Sequence, residues 1–253
     1  MTTVQEFHDT SGAEAVRGFL HTPDAPAPNA ATLVLAHSAG SNCQAPLLVV
    51  LADAFAASGL AVLRCDLPFR QARPTGPPLR TAARDQAGLR AAVEAMRRHT
   101  NSKPAEGSTS KPAEGSSSKS AGGFAKCIFL GGHSYGGRMA SMLAADEPGL
   151  VDALLLLSYP LHPPKQPQQL RKQHFPRLET PALFVSGTHD CFGSILELQS
   201  ALQLIPARTR LLPVEGAGHE LLSKRNRAEL PGTIVDAFRI FTEATADRPS
   251  TPG

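Results

Sequence analysis

Tryptophan is absent from this chain of 253 residues, and aromatic side chains make up only 5% of it. No apolar run reaches the roughly 18 residues that a membrane-spanning helix needs. The N-terminus, MTTVQEFHDTSGAEAV, lacks the basic start and following apolar stretch of a secretory signal peptide. We therefore expect a cytoplasmic protein that does not interact with a membrane.

Cysteine is scarce as well, and no two of the four cysteines have CxxC spacing. Zinc knuckles and redox dithiols depend on such spacing, so reduced thiols in a reducing compartment are the expected state. The histidines lack the H-x-x-x-H spacing of a zinc-binding helix. The sequence therefore predicts neither a metal site nor a cofactor. The cysteines are Cys43, Cys65, Cys127 and Cys191.

The net charge is also small, at a formal +3. A nucleic-acid-binding protein needs a clustered basic face or a known reading motif, and neither is present, so we predict no nucleic-acid partner. The stretch that contains Arg64, Arg70 and Arg73 is expected to be a solvated surface, with attraction of an acidic substrate as the alternative. Nothing in the sequence indicates the oligomeric state.

One segment differs from the rest of the chain. Residues 101–123 read NSKPAEGSTSKPAEGSSSKSAGG, in which an eight-residue unit is repeated at once. Without large apolar side chains, the segment cannot offset the entropy lost on ordering. We predict a disordered insertion in a single domain that spans 1–253, and a flexible tail from about 246. A repeated binding motif is the alternative function of the insertion.

The remaining sequence alternates short apolar runs with stretches of helical periodicity. We predict strands at 15–22, 32–37, 60–66, 126–132, 153–159, 182–187 and 209–214, and helices at 46–59, 80–99, 136–146, 193–203 and 231–245. Continuous apolar strands separated by helices predict an α/β fold, with a doubly wound, mostly parallel sheet and helices on both faces. The segment 15–22 is expected to form an antiparallel edge strand. Ligands of such sheets bind beyond the carboxyl ends of the strands.

The sequence GHSYG, residues 132–136, fits the pattern G-x-S-x-G and lies between a predicted strand and a predicted helix. A serine at such a turn projects its hydroxyl out of the sheet, and the glycines two residues before and after it relieve crowding. The dipole of the following helix favours negative charge near the serine. Ser134 is therefore the candidate nucleophile, and an exposed turn serine is the alternative.

A serine nucleophile needs a base and a group that orients the base. In this fold the chain order is serine, acid, histidine. Asp190 and His219 follow two later strands in that order, and they are the candidate acid and base. Asp66 also follows a strand, but it precedes Ser134, and Asp152 precedes its strand. The alternatives are a turn aspartate and a surface histidine.

With the G-x-S-x-G turn and the chain order serine, acid, histidine, the sequence resembles the α/β-hydrolase fold. The runs GGHSYGGRMAS, LSYPLHPPKQPQQLR and SGTHDCFGS are similar to a small lidless branch of that fold. The branch includes the hydrolase-like domain of a chromatin-complex subunit with its testis-expressed and bacterial relatives, and it is loosely similar to dienelactone hydrolases. The resemblance implies Ser134 as nucleophile, Asp190 as acid and His219 as base.

Two backbone amides should form the oxyanion hole. One is that of Tyr135, which follows the nucleophile. The other is expected from Ala39 in the loop HSAGSN, where members of the family usually have His-Gly and this chain has His37-Ser38. We expect His37 to hold this loop through a structural hydrogen bond.

Substrate-pocket candidates are the side chains near the same strand ends: Ser38, Tyr159, His162 and Phe192. Packing at the edge of the sheet is their alternative role. The Pro- and Gln-rich segment after Tyr159 is too short for a large lid, so we expect a site open to solvent.

The predicted function is hydrolysis of an ester, thioester or amide of a small acyl substrate through an acyl-enzyme. The alternative is a catalytically weak or inactive scaffold that uses the fold to bind a partner, because a fold does not determine a function. Transfer of the acyl group to an acceptor other than water is a third possibility.

Overall fold

The computed structural model describes residues 2–24, 31–78, 82–102 and 127–246. The predicted disordered insertion at 101–123 lies outside the described residues from 103 onward, and the predicted tail lies outside them after 246. Residues 101 and 102 end a helix.

Strands and helices alternate along most of the described chain. The strands are β1 Thr3–Asp9, β2 Val16–Thr22, β3 Thr32–Ala36, β4 Ala61–Cys65, β5 Ile128–His133, β6 Ala153–Leu157, β7 Ala182–Gly187 and β8 Thr209–Val214. The helices are α1 Pro46–Ala57, α2 Pro68–Ala72, α3 Ala82–Ser102, α4 Tyr135–Asp146, α5 Ile195–Leu202 and α6 Leu230–Ala246, with a short 3-10 helix at Phe175–Arg177. The predicted elements are present with shifted ends, whereas β1, α2 and the 3-10 helix are additional.

Within the described residues, all eight strands belong to one sheet in the order β1-β2-β4-β3-β5-β6-β7-β8. The strands from β4 through β3 to β8 are parallel, and β2 pairs antiparallel with both β1 and β4. The predicted doubly wound, mostly parallel α/β fold is thus confirmed. The carboxyl ends of β5, β7 and β8 lie on the same side of the sheet, which brings the loops after them together.

The position predicted for 15–22 is wrong in one respect. Val16–Thr22 is antiparallel, as expected, but Thr3–Asp9 pairs along its outer side and occupies the edge. Most side chains of β1 are exposed, so its sequence lacks the apolar alternation that indicates a half-buried strand. Backbone pairing with β2 therefore holds β1 in the sheet.

Two apolar layers cover the sheet. One joins the sheet to α3, α4 and α5, with Met96, Met139 and Leu198 among its buried side chains. The other joins it to α1 and α6, where Phe55 and Phe238 meet edge to face at 5.8 Å. Burial on both faces explains why the central strands are continuously apolar.

The segment between β6 and β7 is described throughout, and it contains the 3-10 helix Phe175–Arg177 and no large helical lid. In the parts of the chain that the structure covers, none of the helices has the length and apolar character needed to cross a bilayer.

Candidate active site

Ser134 occupies the sharp turn between β5 and α4. Its backbone has φ 51° and ψ −112°, a conformation that L-residues rarely adopt and that costs about 1–3 kcal/mol. Hydrogen bonds on both sides hold it: its N–H donates to Leu157 O at 2.8 Å, and its carbonyl accepts from the N–H of Arg138 at 2.9 Å. The side chain is 8% exposed. The fold thus holds Ser134 in a strained backbone conformation at the carboxyl end of β5.

Glycines at both ends of the turn let the chain pass close to itself. A Cβ on Gly132 would lie 2.7 Å from the carbonyl carbon of Gly136 and 2.8 Å from Ala36 O. A Cβ on Gly136 would lie 2.6 Å from His37 O and 2.7 Å from Ala36 O. Backbone atoms cannot rotate away as side chains can, so each position requires glycine.

Gly136→Ala is expected to destabilise the protein by about 2–3 kcal/mol, because the added methyl group overpacks against backbone. Urea denaturation measures the loss. The control is Gly232→Ala in α6, where an added Cβ would meet no atom of another part of the structure within 4 Å. This substitution is expected to stabilise the protein by about 0.5–1 kcal/mol through helix propensity. Equal stability of Gly136→Ala and wild type would contradict the crowding described above.

His219 follows β8 and contacts both other residues predicted for the triad. Its Nε2 lies 2.8 Å from the Oγ of Ser134. Its Nδ1 lies 3.0 Å and 2.9 Å from the two carboxylate oxygens of Asp190. An ionised carboxylate only accepts hydrogen bonds, so Nδ1 carries the proton and Nε2 is left to accept from the serine hydroxyl. The structure brings the three predicted residues into one hydrogen-bonded chain.

Asp190 is held in place from several sides. Its Oδ1 accepts the Phe192 N–H at 2.8 Å, and its side chain is only 1% exposed. The strand before it approaches the histidine loop closely, since a Cβ on Gly187 would lie 2.2 Å from Ala217 O. The N–H of His189 then donates to Ala217 O at 2.9 Å. These contacts fix the distance between the acid loop and the histidine loop.

The imidazole of His219 lies between two rings. The ring of Phe192 stacks on it at 4.0 Å with an interplanar angle of 30°, and the ring of His133 lies at 5.4 Å on a tilted plane. His133 Nε2 donates to the carbonyl of His219 at 2.9 Å, and burial lowers the pKa of His133, which keeps it neutral. The two rings restrict the orientation of the His219 imidazole.

Tyr135 is anchored through a buried acid that the sequence analysis did not identify. Its hydroxyl donates to Asp85 Oδ2 at 2.7 Å, and Asp85 Oδ1 accepts the Phe69 N–H at 3.1 Å. Asp85 is 1% exposed. It precedes Leu89 by four residues and so lies on the apolar stripe of α3. A carboxylate at such a position was the feature of the sequence that could have indicated a buried acid. This anchor fixes the residue whose amide is the first predicted oxyanion donor.

The loop after β3 carries the second predicted donor, at Ala39. As predicted, His37 holds this loop: its Nδ1 donates to Ser38 O at 2.8 Å, and its Nε2 accepts the Leu67 N–H at 3.1 Å. Burial lowers the pKa of His37. Arg70 donates from Nη2 to Ala39 O at 2.9 Å. The loop is therefore tied to both β4 and α2.

The expectation of a solvated basic stretch is wrong for two of its three arginines. Arg64 and Arg70 are buried, at 4% and 7% exposure. Arg64 bonds to Cys43 O and to the ring of His21, and Arg70 bonds to Ser41 O at 2.8 Å as well as to Ala39. Main-chain acceptors from loops distant in sequence, which periodicity does not reveal, allow these guanidinium groups to be buried.

The four pocket candidates separate into two pairs. Tyr159 and His162 are 1% and 6% exposed, which favours their alternative role of packing at the edge of the sheet. The ring of Tyr159 lies 5.3 Å from that of Phe175 and its hydroxyl donates to a backbone carbonyl. Ser38 and Phe192 are partly exposed, with Phe192 against the His219 ring and Ser38 Oγ 3.0 Å from the hydroxyl of Ser41.

His174 lies in the segment after β6 and is neutral. Its Nε2 is 2.8 Å from Ser141 Oγ, and burial, with a smaller effect of the Arg138 charge, lowers its pKa to about 4. The unfolded chain binds this proton at a pKa near 6.5. The folded state therefore loses stability relative to the unfolded state as the pH falls from about 6.5 to 4.

His174→Gln is expected to remove this loss. The measured quantity is the free energy of unfolding of the variant minus that of wild type. This difference is expected to be about 2 kcal/mol larger at pH 4.5 than at pH 7.5. Urea denaturation of both proteins at the two pH values checks it, since the other titrating groups are common to both. Parallel stability changes in the two proteins would contradict a neutral buried His174.

Comparison with known proteins agrees with this architecture. A family model described as an alpha/beta hydrolase domain matches residues 29–231. A dienelactone hydrolase from Anabaena variabilis is 18% identical with a TM-score of 0.67, covering 94% of this chain and 97% of its own. An alpha-beta serine hydrolase homologue from Coxiella burnetii is 17% identical with a TM-score of 0.67, covering 94% and 98%. A serine hydrolase without lid from Xanthomonas campestris is 16% identical with a TM-score of 0.64, covering 99% and 97%.

Proposed function

Because the chain belongs to the alpha/beta hydrolase domain family, we propose that it is a serine hydrolase that cleaves an ester, thioester or amide of a small acyl substrate. The observation that carries this proposal is the hydrogen-bonded chain from Ser134 Oγ through His219 to Asp190, with bonds of 2.8 and 2.9 Å. A hydroxyl is a weak nucleophile without a base within such reach.

In the first step, Ser134 Oγ forms a bond to the carbonyl carbon of the substrate while its proton moves to His219 Nε2. The carbonyl oxygen becomes negatively charged. Asp190 accepts the Nδ1 proton in a hydrogen bond and stabilises the imidazolium that forms. The ring of Phe192, stacked at 4.0 Å, adds a favourable contact for a cation over an aromatic face.

The negative oxygen is stabilised by backbone amides. As the first residue of α4, Tyr135 has an N–H without an intrahelical acceptor, and we assign it as one donor. We assign the Ala39 N–H as the second, since Arg70 and His37 hold its loop against β4 and α2. One such donor typically contributes about 10²–10³ in rate.

Collapse of the tetrahedral intermediate breaks the bond to the leaving group, which takes the proton from His219 Nε2. An acyl group is then esterified to Ser134. Water attacks this ester, its proton moves to His219, and the acid product leaves as Ser134 recovers its proton. Each step uses side chains that the site already holds, and the exposed side of His219, 16% accessible, admits the water.

We place this reaction in the cytoplasm, because Cys43, Cys65 and Cys191 form no disulfide, as is usual in a reducing compartment. The runs GGHSYGGRMAS and SGTHDCFGS, together with the short segment between β6 and β7, support assignment to the lidless branch of the family. Without a large lid, the site suits small acyl groups.

The experiment that tests the proposal is covalent labelling with a fluorophosphonate probe. Wild type is expected to gain the mass of one adduct, located by peptide mapping at Ser134, and Ser134→Ala is expected to gain none. Ser200→Ala, an exposed serine of α5, is the matched control and is expected to label like wild type. Equal labelling of Ser134→Ala and wild type would overturn the proposal.

A further inference from the structure

Asp85 is a buried carboxylate of α3 that bonds to both neighbours of the proposed oxyanion hole. Its Oδ2 accepts the Tyr135 hydroxyl at 2.7 Å, and its Oδ1 accepts the Phe69 N–H at 3.1 Å. Tyr135 begins α4, and Phe69 lies in α2. A buried carboxylate is costly unless hydrogen bonds compensate for its lost hydration. Through one side chain, α3 is thus connected to both α4 and α2.

The helix α2 carries the contacts that hold the loop of Ala39. Arg70, the residue after Phe69, donates from Nη2 to Ala39 O at 2.9 Å and from Nε to Ser41 O at 2.8 Å. The Cζ of Arg70 also lies over the ring of Phe69, at 4.9 Å from its centroid. A displacement of Phe69 would therefore move the guanidinium that binds these two carbonyls, and the loop with it.

The ring of Phe69 makes a second connection between the two assigned donors. It lies 5.5 Å from the imidazole of His37 and meets the ring of Tyr135 edge to face at 5.7 Å. His37 Nδ1 donates to the carbonyl of Ser38 at 2.8 Å, and this carbonyl belongs to the same peptide group as the Ala39 N–H. One aromatic ring therefore packs against the side chain that binds this peptide group and against the side chain of the other donor residue.

Close contacts between backbones fix α2 on one side and the loop after β3 on the other. Gly88 is one turn after Asp85 on α3, and a Cβ on it would lie 2.4 Å from Cγ of Pro68, the first residue of α2. A Cβ on Gly136 would lie 2.6 Å from His37 O, so the nucleophile turn touches the loop that leads to the second donor. Because close-packed interiors transmit strain, a displacement of α2 changes the gap between the two donor amides.

We infer that Asp85 is a positioning residue for both amides of the oxyanion hole, and that it sets the spacing between the Tyr135 N–H and the Ala39 N–H. It acts through Tyr135 and Phe69 rather than on the substrate. Oxyanion donors are effective only at about 2.7–3.1 Å from the place where the negative oxygen develops. Loss of the anchor is therefore expected to lower kcat with little change in KM, because the interaction is strongest in the transition state. This inference rests on the proposed function.

The test compares p-nitrophenyl butyrate with p-nitrophenyl thionobutyrate, in which sulfur replaces the carbonyl oxygen. Sulfur is a weaker hydrogen-bond acceptor than oxygen, so an intact oxyanion hole favours the oxygen ester. The measured quantity is the ratio of kcat/KM for the oxygen ester to kcat/KM for the thionoester. Asp85→Ala is expected to lower this ratio, and kcat for butyrate, by about tenfold to a hundredfold, which is part of the effect of one donor.

Three further variants separate positioning from charge and from packing. Asp85→Asn keeps both bonds, because its Oδ1 accepts the Phe69 N–H and its Nδ2 donates to the hydroxyl of Tyr135, and its ratio is expected to stay within about threefold of wild type. Tyr135→Phe removes one of the two bonds and is expected to lower the ratio by about threefold to tenfold. The matched control is Tyr159→Phe, which removes a hydroxyl that donates to Arg171 O, and is expected to leave the ratio unchanged.

A second measurement is independent of turnover. The amide resonances of Tyr135 and Ala39 are followed by NMR in isotopically labelled wild type and in the Asp85 variants. Asp85→Ala is expected to shift both resonances, and Asp85→Asn is expected to shift both much less. The amide of Gly232 in α6 serves as the reference and is expected to keep its wild-type position in every variant.

The outcomes separate this inference from the proposed function. A shift confined to the Tyr135 amide, or an unchanged ratio in Asp85→Ala, would overturn the shared anchor while butyrate hydrolysis that depends on Ser134 stands. A ratio that falls equally in Asp85→Asn and Asp85→Ala would also overturn it, because positioning by hydrogen bonds requires recovery with the amide. If neither ester is cleaved but both amides shift in Asp85→Ala, the anchor is supported and the hydrolase proposal fails.

Thermal unfolding of every variant identifies any that does not fold. Should Asp85→Ala be one of these, the comparison of Tyr135→Phe with Tyr159→Phe decides, since each removes a single hydroxyl from a buried or half-buried ring. Equal ratios in these two variants would then overturn the assignment of Asp85.

Discussion

Ser134→Ala is expected to lower kcat/KM for p-nitrophenyl butyrate by about 10⁴–10⁶, the loss typical of removing a serine nucleophile. The variant keeps the fold, because the alanine methyl group occupies part of the space of the side chain it replaces. What it lacks is the oxygen that His219 activates across 2.8 Å. Residual activity is expected from stabilisation of water attack by the oxyanion donors.

The comparison for this prediction is Ser200→Ala, which changes the same atoms on the exposed side of α5 and is expected to keep wild-type kinetics. Thermal unfolding of both variants verifies that they are folded. If the kcat/KM of Ser134→Ala were of the same order as that of wild type, Ser134 would not be the nucleophile, whatever the result of fluorophosphonate labelling.

Asp190→Asn is expected to lower kcat by about 10³–10⁴. An amide at this position presents an N–H donor to the ring of His219, which favours the tautomer with the proton on Nε2. That nitrogen then cannot accept the proton of Ser134. In the wild-type protein, Asp190 Oδ1 accepts the Phe192 N–H at 2.8 Å. The asparagine Oδ1 can accept the same N–H, so the loop is expected to stay in place and KM to change little. Steady-state kinetics on p-nitrophenyl butyrate measure both constants.

The matched control is Asp66→Asn, the other aspartate that follows a strand and lies near a histidine. Its Oδ1 accepts the Cys43 N–H at 2.7 Å and is 3.7 Å from His37 Nε2, so it supports the loop after β3 rather than the base. Its loss of kcat is expected to be far smaller. If Asp66→Asn cost as much as Asp190→Asn, the assignment of the acid would be wrong.

Sequence patterns were sufficient where structure is local. The G-x-S-x-G turn at Ser134 needs glycines at fixed offsets because a Cβ on Gly132 or Gly136 would lie within 3 Å of backbone atoms, so five consecutive residues specify the requirement. The apolar runs predict the parallel sheet because burial on both faces leaves no room for polar side chains. Chain order selected Asp190 over Asp66.

Contacts between residues distant in sequence were decided by the tertiary structure. The sequence did not predict β1, because backbone pairing with β2, rather than an apolar pattern of its own, holds β1 in the sheet. Arg70 was predicted to be solvated, and its burial depends on carbonyls supplied by another loop. Tyr159 follows a strand as pocket residues do, yet the segment after it folds back and encloses its hydroxyl.

The sequence by itself determined the order of elements, the turn that strains Ser134 and which strand ends carry an acid and a histidine, because each depends on neighbours along the chain. Only the tertiary structure decided that Phe192 stacks on His219 and that Asp85 anchors Tyr135. Distances between side chains on separate loops depend on how the layers pack, and local periodicity carries no information about that packing.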